Sequence, residues 1–227
     1  MADYKGIKGF KVQSLASDPS NAVEGQVWYN TTTSVLKYTA LVTAWTTGGV
    51  LNVARDEFGG AGSQTTALVY GGAPGDGVFG NETEEYNGSA WAVEATLNNA
   101  SAGVAGVGTP TAALRMGGYG GPTGTYQDWT EEWNGVSWIE GGGLATARGS
   151  VACMGIQTAA AGAGGYSPGY SNAVESYDGS TWSSGTNYPV AMAAAGGAGT
   201  ATAGIVIGGS PGNPTTANTY DGSTWTS

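Results

Sequence analysis

The 227-residue chain contains no histidine and a single cysteine. Without histidine there is no imidazole for acid–base work near neutral pH and none to hold copper or another transition metal. One cysteine, Cys153, excludes an internal disulfide. Its place in the apolar run "VACMG" reads as a small buried hydrophobe rather than a nucleophile. Charge is scarce too, at 11% of residues, and cations are the scarcer kind: seven Lys and Arg against 17 Asp and Glu, for a net charge of −10. All four lysines (Lys5, Lys8, Lys11, Lys37) fall within the first 37 residues, and beyond them 14 acidic residues face only Arg55, Arg115 and Arg148. Binding to nucleic acid needs clustered cations, so no nucleic-acid partner is expected. The acidic excess reads as a solubilising surface. No apolar run is long enough to cross a bilayer, and "MADYKGIKGF" lacks the apolar stretch of a signal peptide. The expectation is a protein made in a cytoplasm, with no membrane insertion.

What is abundant is glycine, 42 residues, together with aromatics at 10%. There is no Gly-x-y period and proline is rare (8), so collagen is excluded, and a disordered chain seldom carries so many aromatic rings. The composition implies a folded, loop-rich, all-β protein.

A repeat organises the chain. "EEYNGSAW" ends at Trp91, "EEWNGVSW" at Trp138, "ESYDGSTW" at Trp182 and "NTYDGSTW" at Trp225. The aromatic and the Trp are five apart each time: Tyr86/Trp91, Trp133/Trp138, Tyr177/Trp182 and Tyr220/Trp225. An alanine recurs at Ala54, Ala100, Ala147 and Ala191, a glycine eight residues later, and a Gly-Gly pair 17 residues later, beginning at Gly71, Gly117, Gly164 and Gly208. Only the interval from Gly-Gly to the aromatic drifts, over 15, 16, 13 and 12 residues. Spacings kept to the residue reflect packing, because a one-residue slip turns every side chain of a strand to the other face. A drifting spacing marks an exposed connection.

Each copy reads as four short strands, a to d. In the second copy these are "AGVAGVG", "AALRMGG", "WTEEWNG" and "VSWIE". Asn-Gly or Asp-Gly between c and d is a hairpin dipeptide, for which both central positions need positive φ, and the flanking aromatics form a cross-strand pair across it. The Ala- and Gly-rich tract "MAAAGGAGTATAG" is too glycine-rich for a helix and reads as an inner strand. Four-stranded units of 43–47 residues have the length of propeller blades.

At this point a resemblance enters. Gly-Gly closing strand b, Tyr before the turn, Trp after it, and "LNVAR" (51–55) and "LATAR" (144–148) beyond resemble a kelch repeat over residues 49–227. "LNNAS" and "YPVAM" depart from it, with Ser101 and Met192 where arginine would stand. The Gly/Ala-rich form of the array is similar to kelch-like arrays in structural proteins of marine tailed phages. The resemblance implies a kelch-like β-propeller of about four four-stranded blades, in copies of about 49–94, 95–141, 142–185 and 186–227. Residues 1–48 are expected to be a separate cap or attachment segment rather than a half-blade that a neighbouring chain completes. There, "GQVWYNTTTSVLKYT" resembles a hairpin common in phage tail-fibre and other virion proteins, and Tyr38 with Trp45 mimics strands c and d of a half-blade. This segment is expected to dock onto other virion proteins.

Enzyme chemistry finds little support. A kelch-like copper oxidase needs histidine ligands. Arg55 and Arg148 occupy equivalent repeat positions and read as structural. "SYDGSTW" resembles a sialidase Asp-box but lacks the residue between Asp and Gly. Glu84/Glu85 and Glu131/Glu132 are sequence neighbours pointing to opposite faces of a strand, so they are no catalytic pair, and their recurrence is read as a surface role. No "GxxxxGK" phosphate loop is present. The expectation is no enzyme, no cofactor and no metal, with Asp76 and Asp128 as the loop carboxylates that calcium would use.

Binding remains. The variable b–c loops, 73–83, 119–128, 166–173 and 210–217, would share one face of a propeller. Their candidate contact residues are Asp76, Phe79, Tyr126, Asp128, Tyr166, Tyr170 and Asn213, aromatic and polar groups of the kind binding loops use. The resemblance implies a virion structural protein assembled in the host cytoplasm, as part of a tail fibre or similar host-contacting appendage, meeting a host-surface glycan or protein and acting as a homo-oligomer. A capsid decoration protein and a non-phage kelch interaction scaffold are the alternatives, and fold alone does not choose among them.

Overall fold

The computed structural model describes residues 12–20, 26–39, 48–75, 77–122, 124–212 and 214–227. The chain divides into two compact units, Met1–Thr47 and Gly48–Ser227.

In the first unit, β1 (Gln13–Leu15) runs parallel to β2 (Val27–Asn30), and β2 forms an antiparallel hairpin with β3 (Val35–Tyr38). The Asn30 side chain caps the turn, accepting hydrogen bonds from the Thr32 and Thr33 amides at 3.0 Å each. Asp18 ties the sheet together by accepting from Lys37 Nζ (2.5 Å), Asn30 Nδ2 (2.7 Å) and Trp28 Nε1 (3.0 Å). The hydrogen bond from Lys37, then those from Asn30 and Trp28, hold its carboxyl at about 2. Tyr38 pairs with Val27 in this hairpin. The half-blade expectation placed Tyr38 opposite Trp45, which lies outside the described residues.

The second unit is all-β and holds four antiparallel four-stranded sheets, each a meander in chain order. The first sheet is β4 (Gly59–Gly62), β5 (Ala67–Tyr70), β6 (Thr83–Tyr86) and β7 (Trp91–Glu94). The second is β9 (Ala105–Thr109), β10 (Ala112–Met116), β13 (Thr130–Trp133) and β14 (Trp138–Glu140), and beside it lies a small sheet of β8 (Ser101–Ala102), β11 (Tyr119–Gly120) and β12 (Thr125–Tyr126). The third is β15 (Ala152–Ile156), β16 (Ala159–Ala163), β17 (Val174–Tyr177) and β18 (Trp182–Ser184). The fourth is β19 (Gly196–Thr200), β20 (Ala203–Ile207), β21 (Ala217–Tyr220) and β22 (Trp225–Thr226). The tract "MAAAGGAGTATAG" supplies β19, so no helix forms there.

The aromatic pairs sit directly opposite each other on the third and fourth strands: Tyr86↔Trp91, Trp133↔Trp138, Tyr177↔Trp182 and Tyr220↔Trp225, with ring centroids 4.5–5.4 Å apart. The turn between them differs from the two-residue hairpin expected. It is a four-residue connection in which only the glycine has positive φ, Gly88 at +96° and Gly179 at +94°. The Asn or Asp side chain organises it: Asp178 accepts from the Ser180 and Thr181 amides at 2.9 and 2.8 Å. These amide bonds, Thr181 first, hold the Asp178 carboxyl at about 2. An Asx turn needs the same dipeptide as a tight hairpin, which is why the sequence does not distinguish them.

Successive sheets pack through their first strands, β4 beside β9, β9 beside β15 and β15 beside β19. Two backbone devices join them. Both glycines of each Gly-Gly pair have positive φ, from +61° to +122°. This conformation turns the second amide toward the next sheet: Gly72 donates to Ser101 O (2.9 Å), Gly118 to Arg148 O (3.0 Å) and Gly165 to Met192 O (2.8 Å). Closer to the first strands, the Gly103 amide donates to Glu57 O (2.9 Å), Ser150 to Gly103 O (2.8 Å) and Ala194 to Ser150 O (2.9 Å). All four residues of this thread are equivalent in the repeat and all have positive φ.

Apolar clusters fill the three spaces between sheets. Leu68 and Tyr70 of the first sheet meet Val104, Ala113, Trp133 and Trp138 of the second. Leu114 and Met116 meet Val151, Ala160 and Tyr177. Met154 and Ala161 meet Val206 and Tyr220. Small residues permit this approach: a Cβ on Gly204 would overlap the sulfur of Met154.

One expectation is overturned inside the sheets. Glu84 and Glu131, read as surface carboxylates, are fully buried, as is Glu175. Glu84 accepts from the Asn52 amide (2.7 Å), the Asn52 side chain (2.9 Å), the Val53 amide (3.1 Å) and Arg55 Nη2 (2.7 Å). Burial pushes its pKa up, and the hydrogen bonds from Asn52 and Val53 with the charge of Arg55 outweigh it, leaving the carboxyl below its ordinary value. Glu175 accepts from the Ala145 amide at 2.7 Å and from Arg148. These carboxylates fasten the straps that lead into the first strands of the first three sheets. The recurrence therefore reflects interior structure.

The array does not close among the described residues. All five residues of β19 are exposed, whereas β9 and β15 are each buried or half-buried at four of five positions.

Candidate functional site

The variable b–c loops gather an unbroken row of aromatic rings. Phe79 packs edge-on against Tyr119 (centroids 5.4 Å, 76°), Tyr119 against Tyr126 (5.0 Å, 57°), Tyr126 against Tyr166 (5.7 Å, 58°), and Tyr166 edge-on against Tyr170 (5.3 Å, 79°). The Tyr170 hydroxyl shares a 3.0 Å hydrogen bond with Ser210 Oγ. The row starts in the loop of the first sheet, crosses those of the second and third, and reaches that of the fourth. Tilted and edge-on contacts at these separations are the favourable arrangement for aromatic pairs.

The backbone fixes each ring. Tyr119 and Tyr126 are directly opposite across β11 and β12. The Gln127 side chain pins this hairpin, donating to Gly120 O (3.0 Å) and Thr125 O (2.9 Å). Tyr166 exchanges backbone hydrogen bonds with Gly149 at 2.8 and 3.1 Å, and Ser171 donates back to Gly165 O at 2.9 Å. In the first loop, Gly80 donates to Gly72 O at 2.7 Å and Val78 to Gly75 O at 3.1 Å. The rings therefore stand on ordered loops.

Tyr119 and Tyr170 are exposed, and Phe79, Tyr126 and Tyr166 are half-buried. The Tyr126 hydroxyl is pushed above its ordinary value by partial burial, then by the neighbouring Tyr166, Tyr119 and Glu57. It stays a neutral donor and acceptor at physiological pH. A row of ring faces and edges with hydroxyls at intervals offers apolar contact and hydrogen bonding together, which suits a sugar ring or a mixed apolar–polar protein surface.

Of the candidate residues, Phe79, Tyr126, Tyr166 and Tyr170 are brought together in this row. Asp128 is not: it lines a separate polar cleft of about 230 Å³ with Asn99, Glu140 and Gly143, and its carbonyl accepts from the Leu144 amide at 2.8 Å. Asp76 and Asn213 lie outside the described residues. Sequence reasoning missed Tyr119, which bridges Phe79 to the rest. Its signal was its place directly after Gly117-Gly118, where the chain enters the variable loop.

Cys153 is half-buried, its thiol directed at Gly106 O (3.0 Å), and burial pushes it up to about 11. Among the described residues no group of three or more Cys, Asp or Glu side chains could hold a metal ion. Among the described residues no helix is long and apolar enough to cross a membrane. No family model and no curated protein matches the chain.

Proposed function

We propose that this chain is a non-catalytic structural protein of a tailed-phage virion. In this reading residues 1–48 attach it to other virion proteins, and a kelch-like array displays the b–c loops toward a host surface as part of a tail fibre or similar appendage. The observation that carries the reading is the row from Phe79 to Tyr170: the most length-variable segments of the repeat hold a continuous row of five aromatic rings. Loops that vary in length while presenting fixed rings combine freedom to change with a preorganised contact face. The three arginines support the absence of catalysis, since Arg55 and Arg148 are consumed by buried carboxylates and Arg115 by interior acceptors.

The partner is a host-surface glycan or protein, and the chain works as part of a homo-oligomeric assembly made in the host cytoplasm. Purified protein is expected to compete with particles for adsorption to host cells. Unchanged adsorption at saturating protein would sink the host-binding reading. Deleting residues 1–48 in the phage is expected to leave the protein out of particles, and its continued incorporation would sink the attachment reading.

A further inference from the structure

The two ends of the four-sheet array are complementary, and we infer that they dock head to tail, the fourth sheet of one copy receiving the first sheet of a second copy. The three internal junctions show what a junction needs. A Gly-Gly amide donates to the carbonyl that follows the repeat alanine of the next sheet, as Gly118 does to Arg148. A thread amide donates back, as Ser150 does to Gly103. An apolar residue ending the second strand meets one preceding the next first strand, as Met116 meets Val151. In the central junction Gln157 also reaches back, donating to Trp133 O (2.7 Å) and Ala113 O (3.0 Å).

Among the described residues every one of these groups recurs at the open ends without a mate. By repeat position, Ile207 corresponds to Met116 and Phe58 to Val151, and they are 50% and 42% exposed. The amide of Gly209, equivalent to Gly118, makes no hydrogen bond among the described residues, and neither does the carbonyl of Arg55, its counterpart. The thread stops at the carbonyl of Ala194 and starts at the amide of Glu57, neither of them bonded among the described residues. Gln64 holds the position of Gln157, is exposed and has no partner among the described residues. Its two acceptors would be the carbonyls of Gly204 and Tyr220, which border a depression of about 440 Å³ on the open face of the fourth sheet.

Donors at one end therefore match acceptors at the other, in the register of the internal junctions, and both ends carry exposed apolar side chains. A head-to-tail contact of this kind closes a ring or propagates. Two copies would give eight sheets, within the range of propeller rings.

The test uses the full chain and two single variants, Ile207→Glu and Phe58→Glu, both at exposed sites where the fold tolerates charge. Sedimentation velocity is expected to show self-association of the wild type. Each variant alone should associate at least about tenfold more weakly, because a carboxylate would be buried at the junction. Mixing the two variants should restore a 1:1 pair and nothing larger, since one intact tail then meets one intact head. Gln64→Ala should weaken the wild-type association less than either charge. A monomeric wild type, the outcome expected if residues 1–47 cover the end, overturns the inference. So does association that survives both charges, or variants that fail to complement.

Discussion

Arg115 donates to the hydroxyl of Ser101, and through that contact the second sheet recovers the cation its strap lacks. Ser101 stands where the first and third sheets have Arg55 and Arg148. Arg115, from the neighbouring strand, sends its Nη1 to Trp129 O at 3.1 Å, while Arg55 reaches the equivalent Glu82 O at 2.7 Å. A guanidinium reaches this one equivalent carbonyl in both, from different strands. The substitute is looser: Arg115 lies 4.0 Å from Glu131 Oε1, and that oxygen and Arg115 Nε lack hydrogen-bond partners. Burial lowers the Arg115 pKa to about 10, opposed by the charge of Glu131.

Arg115→Val, the residue of the first and fourth sheets at this position, is expected to destabilise the chain by about 3–5 kcal/mol by leaving Glu131 buried without a cation. Adding Ser101→Arg should return most of that loss. Urea melts of the wild type, both single variants and the double variant measure the coupling. Additive effects would show that the two arginine positions do not serve one carboxylate.

The fourth sheet abandons the pair altogether, with Met192 at the arginine position and Asn218 at the glutamate position, both buried. Transplanting that solution into the first sheet gives Arg55→Met with Glu84→Asn. Each single change is expected to cost about 3–5 kcal/mol. The double variant should recover about 1–3 kcal/mol of the sum, because neither charge is left buried alone. Thermal unfolding of the set checks it.

Stability should be flat near neutrality and fall on both sides. Glu84 and Asp178 titrate lower when folded than their ordinary values of 4.5 and 3.8, so their contribution is present above those values and lost as pH falls toward the folded ones. Tyr70 and Tyr177 titrate above their ordinary 10.0, because burial disfavours the phenolate, and for Tyr177 also because it donates to Glu132 at 2.7 Å. Their contribution is present below pH 10 and is lost as pH rises past it. Denaturant midpoints between pH 2 and 11 are expected to trace this plateau, and Glu84→Gln should flatten the acid limb.

Tyr126→Ala and Tyr166→Ala interrupt the aromatic row in its middle. Each is expected to raise the concentration needed to block adsorption at least about tenfold, equivalent to about 1.4 kcal/mol. Val136→Ser, at an exposed c–d turn away from the row, should change nothing. Unfolding midpoints of all three variants separate lost contact from lost fold.

Much of this architecture was legible in the residues. Gly-Gly and the paired aromatics mark strand ends because positive φ and cross-strand packing leave few other choices at Gly117 or Trp133. The candidate row was half visible: loop length variation pointed to Phe79, Tyr126, Tyr166 and Tyr170, but only the b–c hairpin of the second sheet places Tyr119 between them. The burial of Glu84 was hidden because a repeated carboxylate reads alike inside and outside, and its partners Asn52 and Arg55 lie about 30 residues earlier. Asn87 and Asp178 signalled a turn without revealing its length, since a side chain that replaces a backbone acceptor is compatible with either form. The open end was equally hidden, because a repeat count does not state how many copies complete a circle.

The backbone thread from Glu57 through Gly103 and Ser150 to Ala194 touches each sheet once and involves only immediate neighbours. Cohesion organised in this way decreases stepwise from the middle outward, as in a zipper held at its centre. In a single copy without a docked neighbour, the terminal sheet carrying β19 should therefore peel away before the inner pair yields. Hydrogen exchange would register that order as amides of Gly196–Thr200 opening well ahead of those in Ala105–Thr109.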